Sequence, residues 1–166
     1  LVEALADPLV HLVRNAIDHG VESPELREAQ GKARMGRVRL SAQQEGDYVS
    51  IEVQDDGAGI DPERLRAKAR DKGLIDPEAA ARLTSEECLH LVFLPGFSTK
   101  QAVTDISGRG VGMDVVQSRI RELSGQIQIQ SELGRGSRFL IRVPLTLAIL
   151  PTLLVQAGDD VYALPL

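Results

Sequence analysis

Aromatic side chains are scarce in this 166-residue chain, which has no Trp, two Tyr and three Phe. Single-stranded nucleic acid is bound on stacking platforms, and too few aromatic faces are present to build one. Basic charge is also in deficit: 19 Lys and Arg stand against 24 Asp and Glu, a net charge of −5. A surface for polyanions is therefore disfavoured, and no nucleic acid is expected as partner. Cysteine occurs once, at Cys88, which excludes an internal disulfide and a thiolate metal cluster and suits a reducing compartment. The longest strongly apolar run, Leu145 to Val155, is short and carries Pro151, so no segment is expected to insert in a bilayer. The chain opens at Leu1 without a basic, apolar leader; it reads as an excised piece with the cytoplasm as its expected location.

What is present suits a globular fold: 43% hydrophobic and 26% charged residues, at a length that fits one domain or one domain plus the start of another. Leu5, Leu9, Leu12, Val13, Ala16 and Ile17 recur at three- and four-residue steps, which predicts an amphipathic helix ending at Gly20. Ser23-Pro24 opens a short polar helix running toward Gly31, and Asp61-Pro62 and Asp76-Pro77 each place a capping carboxylate before a proline, predicting two more short helices. Cys88 is expected to be buried on a helix from Leu83 to Phe93. Alternation over 37–43 and 48–53 predicts a hairpin around Glu45-Gly46-Asp47, and alternation over 126–130 and 138–143 predicts another around Gly134 and Gly136. Between these lie a long Gly/Ser/Thr-rich loop, Pro95 to Gly112, and a helix from Val111 to Leu123 stopped by Gly125. Helices on one face of a mixed, mostly antiparallel sheet make a two-layer α+β sandwich. After Pro144 the pattern changes, and strands at Leu147 to Gln156 and Val161 to Leu164 flank Gly158-Asp159-Asp160. The division expected is a domain over 1–145 and the truncated start of an all-β domain over 146–166.

Polar residues with chemical potential fall in five places. His11, Asn15, Asp18 and His19 recur at helical spacing, so all four can face one site or simply face solvent. Asp55-Asp56-Gly57-Ala58-Gly59 ends a strand; a carboxylate there can accept from an exocyclic amine, and glycine lets a flat ring approach, although DDG is also a common turn. Gly108, Gly110 and Gly112 precede a helix beginning near Met113, leaving backbone N–H groups free for a phosphate, or forming a plain connector. The spacing matches neither a Walker loop nor a dinucleotide fingerprint. Ser98-Thr99-Lys100 supplies two hydroxyls and an ammonium, and Gly134-Arg135-Gly136-Ser137, taken alone, reads as a plain hairpin turn before it reads as part of a site.

The joint order of these motifs is more specific than any one of them. A helix with Asn15, a strand ending in Asp55-x-Gly57-x-Gly59, a loop ending in Gly108-x-Gly110-x-Gly112 before a helix, and a strand with Gly134-x-Gly136-Ser137 resemble the Bergerat ATP-binding superfamily of gyrase, heat-shock chaperone, histidine kinase and mismatch-repair ATPases. Within it, His11 to Gly20, Pro95 to Lys100 and Gly108 to Val116 resemble the chemotaxis histidine kinases of CheA type, over nearly the whole chain. Pro144 to Ile149 is similar to the junction with the CheW-like, SH3-like regulatory domain of those kinases.

The resemblance implies ATP and Mg²⁺ as cofactors. Asn15 would coordinate Mg²⁺ that bridges the phosphates, and Asp55 would hydrogen-bond the adenine amino group, with Gly59 shaping the same wall. Gly108, Gly110, Gly112 and Met113 would wrap phosphates and ribose, with Ser98, Thr99, Lys100, His19 and, less centrally, Arg14 nearby. Many relatives carry Glu four residues before the Asn; His11 stands there instead, which suits phosphoryl transfer to an imidazole better than hydrolysis. His11 is a candidate general base and equally a candidate phosphate-side or metal ligand. Ser137 replaces a frequent Thr and Ala58 a commonly larger residue. The implied partners are a phosphoacceptor-histidine domain of the same parent protein, acting in trans within a dimer, a response regulator, and a CheW-like adaptor with its chemoreceptor array. A clamp-type ATPase and a degenerate, non-catalytic scaffold are the competing readings.

Overall fold

The computed structural model describes residues 2–97, 112–145, 152–158 and 160–165. The first helix, α1 (Val2–Asn15), continues through a π-helical turn, Ala16–Gly20. Helix α2 (Pro24–Ala29) follows, then strands β1 (Val38–Glu45) and β2 (Tyr48–Asp55), and helices α3 (Pro62–Asp71), α4 (Pro77–Arg82) and α5 (Ser85–Leu89). A 3₁₀ turn, His90–Phe93, precedes α6 (Met113–Glu122), β3 (Gln126–Glu132), β4 (Gly136–Pro144), β5 (Thr152–Ala157) and β6 (Asp160–Pro165).

The caps written in the sequence are used. Ser23 Oγ accepts from the Leu26 N–H and Asp61 Oδ1 from the Glu63 N–H, satisfying N–H groups that have no partner within the first helical turn. Thr84 and Glu87 form a reciprocal capping box that starts α5, so the helix expected over Leu83 to Phe93 is a capped α-helix followed by a 3₁₀ turn. Asp76 makes no side-chain cap bond. Gly46, at φ +61, begins the two-residue turn between β1 and β2, where a positive φ matches the twist of the flanking strands.

Strands β1 to β4 form one sheet in the order β1-β2-β4-β3. Each of its pairings is antiparallel, where a mixed sheet had been expected. Pairing in register places Ile51, Val53, Ile127, Ile129, Phe139, Ile141 and Val143 on one buried face. The other face carries Ser50, Glu52, Gln54, Gln126, Gln128, Gln130, Arg138 and Arg142, the division usual for a sheet covered on one side. Leu5 and Leu12 of α1, Leu89, Phe93, and Met113, Val116 and Ile120 of α6 close over the apolar face, and burying each such side chain contributes about 1.5–3 kcal/mol. A second cluster gathers Ala69, Cys88, Leu91 and Phe97; Cys88 is buried, as expected. The two-layer α+β sandwich is therefore present.

Two helix ends depart from expectation. Helix α1 does not run to Gly20 as an α-helix, because the Val21 N–H reaches back to Ala16 O at 2.8 Å, a five-residue step. Ile17 consequently lies exposed rather than in the core. At the end of α6 the left-handed residue is Ser124, φ +56, not Gly125; Gly125 is required because a Cβ there would lie 2.8 Å from Arg142 O. Strands β5 and β6 pair as a separate two-stranded sheet.

Candidate functional site

Strand β2 leaves the core at Asp55, and the next residues turn back beneath the end of α1. Asp55 is buried, 5% exposed. Its Oδ1 accepts from the Gly57 N–H at 2.9 Å and the Ser137 N–H at 3.3 Å. No hydrogen bond reaches Oδ2 among the described residues, whose sealed, unpartnered side-chain polar atoms are Arg66 Nε and Arg138 Nε. Oδ2 faces Gly20, where a Cβ would come within 3.1 Å of it. Burial pushes the Asp55 carboxyl above the usual carboxylate range, against the pull of the Gly57 and Ser137 N–H groups.

Three glycines make this corner tight. A Cβ on Gly57 would fall 1.9 Å from Gly20 O, and one on Gly136, at φ +107, would fall 2.1 Å from Asp55 O. The Ala58 N–H donates to Gly20 O at 2.8 Å, tying the turn after β2 to the end of the π turn. Gly59, φ +74, packs against Glu132 O, where a Cβ would sit at 2.3 Å. Gly59 therefore shapes this wall through backbone packing on β3. Ser137 Oγ lies 2.9 Å from Ser131 Oγ, and Ser131 Oγ accepts from the Ile60 N–H at 2.8 Å.

Helix α1 supplies the other side. His11 and Asn15, four residues apart, are both half-buried. Asn15 Nδ2 donates to Met113 Sδ at 3.3 Å, bringing α1 to the start of α6, where Gly112 is the N-cap and Met113 is buried. The carbonyl oxygen of the Asn15 amide has no hydrogen bond among the described residues. Burial, then the neighbouring Arg14 charge, holds His11 below the ordinary imidazole range, which favours the neutral ring, one of whose nitrogens carries a lone pair.

The polar stripe expected on α1 does not stay together. His19 is exposed, and Asp18 lines an apolar groove of about 440 Å³ with Leu9, Val13, Ile17 and Leu40. The five-residue step after Asn15 changes the helical phase, so 3.6-residue spacing no longer predicts the facing of residues 16–20. A second cleft, about 390 Å³, joins Asp55 and Ser137 to Gln54, Gln130 and Arg138. Neither is lined by His11 or Asn15. Ser98, Thr99, Lys100, Gly108 and Gly110 lie outside the described residues.

Sequence reasoning missed a charged cluster behind Asp55. Arg27, on what looked like a polar surface helix, is 1% exposed. It pairs with Glu22 at 3.0 Å and Asp56 at 2.9 Å, and Lys32 also pairs with Glu22. The Glu22 carboxyl is held below its ordinary range by Lys32 and Arg27, which outweigh its desolvation. The Arg37 N–H donates to Asp56 Oδ1 at 2.8 Å, and together with Arg27 keeps the Asp56 carboxyl low despite desolvation. Acidic residues at sequence distances of 5 and 29 from Arg27 follow no local periodicity, so only the adjacency of Asp56 to Asp55 could have hinted at this arrangement.

The sequence profile of the family described as "Histidine kinase-, DNA gyrase B-, and HSP90-like ATPase" matches residues 4–147. The "Gliding motility regulatory protein" of Myxococcus xanthus is 52% identical over 159 residues, covering 96% of this chain and 20% of that protein. The "Chemotaxis protein CheA" of Treponema pallidum is 47% identical over 166 residues, 100% of this chain and 20% of that protein. The protein of the same name in Bacillus subtilis is 44% identical over 166 residues, 100% of this chain and 25% of that protein. The chain thus spans only a fifth to a quarter of the length of these relatives. Among the described residues no helix is long and apolar enough to cross a membrane.

Proposed function

The chain belongs to the family of histidine kinase-, DNA gyrase B- and HSP90-like ATPases, and we propose that it is the ATP-binding catalytic domain of a chemotaxis-type histidine kinase of the cytoplasm. The observation that carries this reading is the Asp55 carboxylate, buried, with Oδ1 satisfied by two backbone N–H groups and Oδ2 left over. Oδ2 is the acceptor for the adenine amino group. A base with a carbonyl at that position would leave the carboxylate unpaired against an acceptor and be rejected.

The phosphates would then extend toward Asn15, His11, Gly112 and Met113 on α1 and α6. Mg²⁺ takes most of its ligands from water and phosphate oxygens, so one free amide oxygen on Asn15 fits it, whereas no group of three or more acidic, His or Cys residues that could cage a metal occurs among the described residues. Bound there, Mg²⁺ would supply charge neutralisation on the triphosphate. Asn15 would hold the metal and orient the phosphates; neutral His11 offers a lone pair beside them, as base or ligand. Ser98, Thr99, Lys100, Gly108, Gly110 and His19 complete the proposed binding set. In the transfer, the γ-phosphorus bonds to an imidazole nitrogen as its bond to the β,γ-bridging oxygen breaks, ADP leaves, and the imidazole N–H proton goes to solvent or a base.

The acceptor imidazole would belong to a separate phosphoacceptor domain of the parent protein, reached in trans within a dimer, and the phosphoryl group would pass on to an aspartate of a response regulator. Residues 146–166 would begin a CheW-like regulatory domain that meets an adaptor and a chemoreceptor array. The names of the relatives, a CheA among them, and the β5–β6 pairing apart from the main sheet support this reading. The test is to mix the chain with Mg-ATP and a separately produced phosphoacceptor domain. Acid-labile, base-stable phosphate on that domain is expected, reduced at least about 100-fold by Asn15→Asp, a loss of the size seen when charge-stabilising groups are removed. Free phosphate without phosphoprotein would overturn the kinase reading in favour of a hydrolase.

A further inference from the structure

We propose that Arg27 and Lys32 are positioning residues for adenine recognition, acting on Asp55 through the single peptide unit between Asp56 and Gly57. The inference rests on the reading of Asp55 as the base acceptor. Neither cation touches the Asp55 carboxylate. Arg27 Nη1 donates to Asp56 O at 3.1 Å and Lys32 Nζ to the same oxygen at 3.2 Å. At the other end of that peptide, the Gly57 N–H donates to Asp55 Oδ1 at 2.9 Å. A peptide is planar and trans, so fixing the direction of its C=O fixes its N–H in the opposite direction. Two cations on the oxygen also polarise the amide and strengthen its N–H as donor.

The remaining contacts leave this lever no slack. Lys32 Nζ takes Gly57 O at 2.8 Å, while the α-carbon of Gly57 rests against Gly20 O. Arg27 Nε donates to Ala33 O at 2.8 Å and its other nitrogens reach Glu22 and Asp56, so one guanidinium fork joins four acceptors on three segments, which a lysine could not do. Arg27 Nη2 and the Arg37 N–H hold the two oxygens of Asp56. The cluster pairs two cations, Arg27 and Lys32, with two carboxylates, Glu22 and Asp56, and Asp55 is left as the unpaired carboxylate of the corner. A buried ion pair gives little net stability over apolar residues of equal volume. What this one gives is a fixed angle for Oδ1, and hence for Oδ2.

The experiment uses the full 166-residue chain and two nucleotides, ATP and purine riboside triphosphate, which has hydrogen in place of the amino group. Arg27→Gln and Lys32→Gln are each expected to weaken ATP about tenfold, or 1.4 kcal/mol, while purine riboside triphosphate changes by less than about twofold. In an Asp55→Asn background the tenfold effect should vanish, because residues acting through one another are not additive. Should Asp55→Asn itself weaken both nucleotides alike, the base-acceptor reading fails and this inference falls with it. Should Asp55→Asn remove the preference for ATP while Arg27→Gln and Lys32→Gln weaken both nucleotides equally, or neither, the inference alone is overturned. If circular dichroism shows Arg27→Gln unfolded, Lys32→Gln decides, since its side chain is already 17% exposed.

Discussion

Around Asp55 the backbone is committed on every side: two N–H groups on one carboxylate oxygen, glycine α-carbons against carbonyls, and a neutralised ion cluster behind the turn. Around Asn15, the side-chain support among the described residues is one N–H···S contact to Met113 at 3.3 Å, with a weak acceptor at its end. The difference teaches where each kind of recognition gets its precision. On the proposed function, a rigid purine ring would meet a rigid acceptor at the preformed corner. A triphosphate with a metal would bring its own charge and ligands, so the helix side would need to hold little more than an amide oxygen ready.

The sharpest way to break this contrast is at Asp55. Asp55→Asn is expected to weaken ATP by about 10–100-fold, the scale of a lost charge-assisted hydrogen bond, while its melting temperature at pH 7 is no lower than that of the parent. The sign follows from linkage: a carboxyl whose folded pKa is raised binds protons more tightly when folded, so keeping it ionised opposes folding once the pH rises above its unfolded value of about 3.8. Binding runs the other way. As pH falls through the raised pKa, ATP affinity of the parent should drop toward that of Asp55→Asn, and nucleotide titrations from pH 7 to 4 that keep a constant ratio between the two proteins would contradict the assignment.

A smaller effect tests the packing. Gly57→Ala would place a methyl 1.9 Å from Gly20 O and is expected to cost about 1–3 kcal/mol by chemical denaturation, the range for overpacking a filled site. Gly134→Ala has open space and pays only for its φ of +77, about 1–2 kcal/mol, and should leave ATP affinity unchanged where Gly57→Ala lowers it. The smallest expected effect is on the helix side. His11 should titrate below 6.5 by NMR and move upward in Arg14→Gln, since burial and then Arg14 hold it down; an unchanged midpoint would show that Arg14 does not contribute.

Much of the scaffold could be read in advance because its signals are local. Ser23-Pro24 and Asp61-Pro62 cap helices where expected, and both hairpins of the main sheet alternate as their side chains do. Asp55 at a strand end and Asn15 on the first helix lie where local pattern puts them, and close backbone packing accounts for Gly57, Gly59 and Gly136. Arg27 and Lys32 were not legible, since their partners are carbonyls, which every residue carries, and carboxylates that folding alone brings near. The facing of Asp18 and Ile17 was missed for a different reason: a period argument assumes one helix type, and the step from Ala16 to Val21 breaks it.

That wider turn has an effect on the geometry of the whole corner. Asn15 must look toward α6 and Gly20 must abut the turn after β2, two directions that a uniform α-helix would have to reconcile at a fixed angle of rotation. Inserting one surplus residue into the ring closed by Val21 and Ala16 works as a phase corrector, letting a single rod aim its two ends independently. On the proposed function, metal and purine would thereby be served by one continuous stretch of backbone, neither contact compromised for the other.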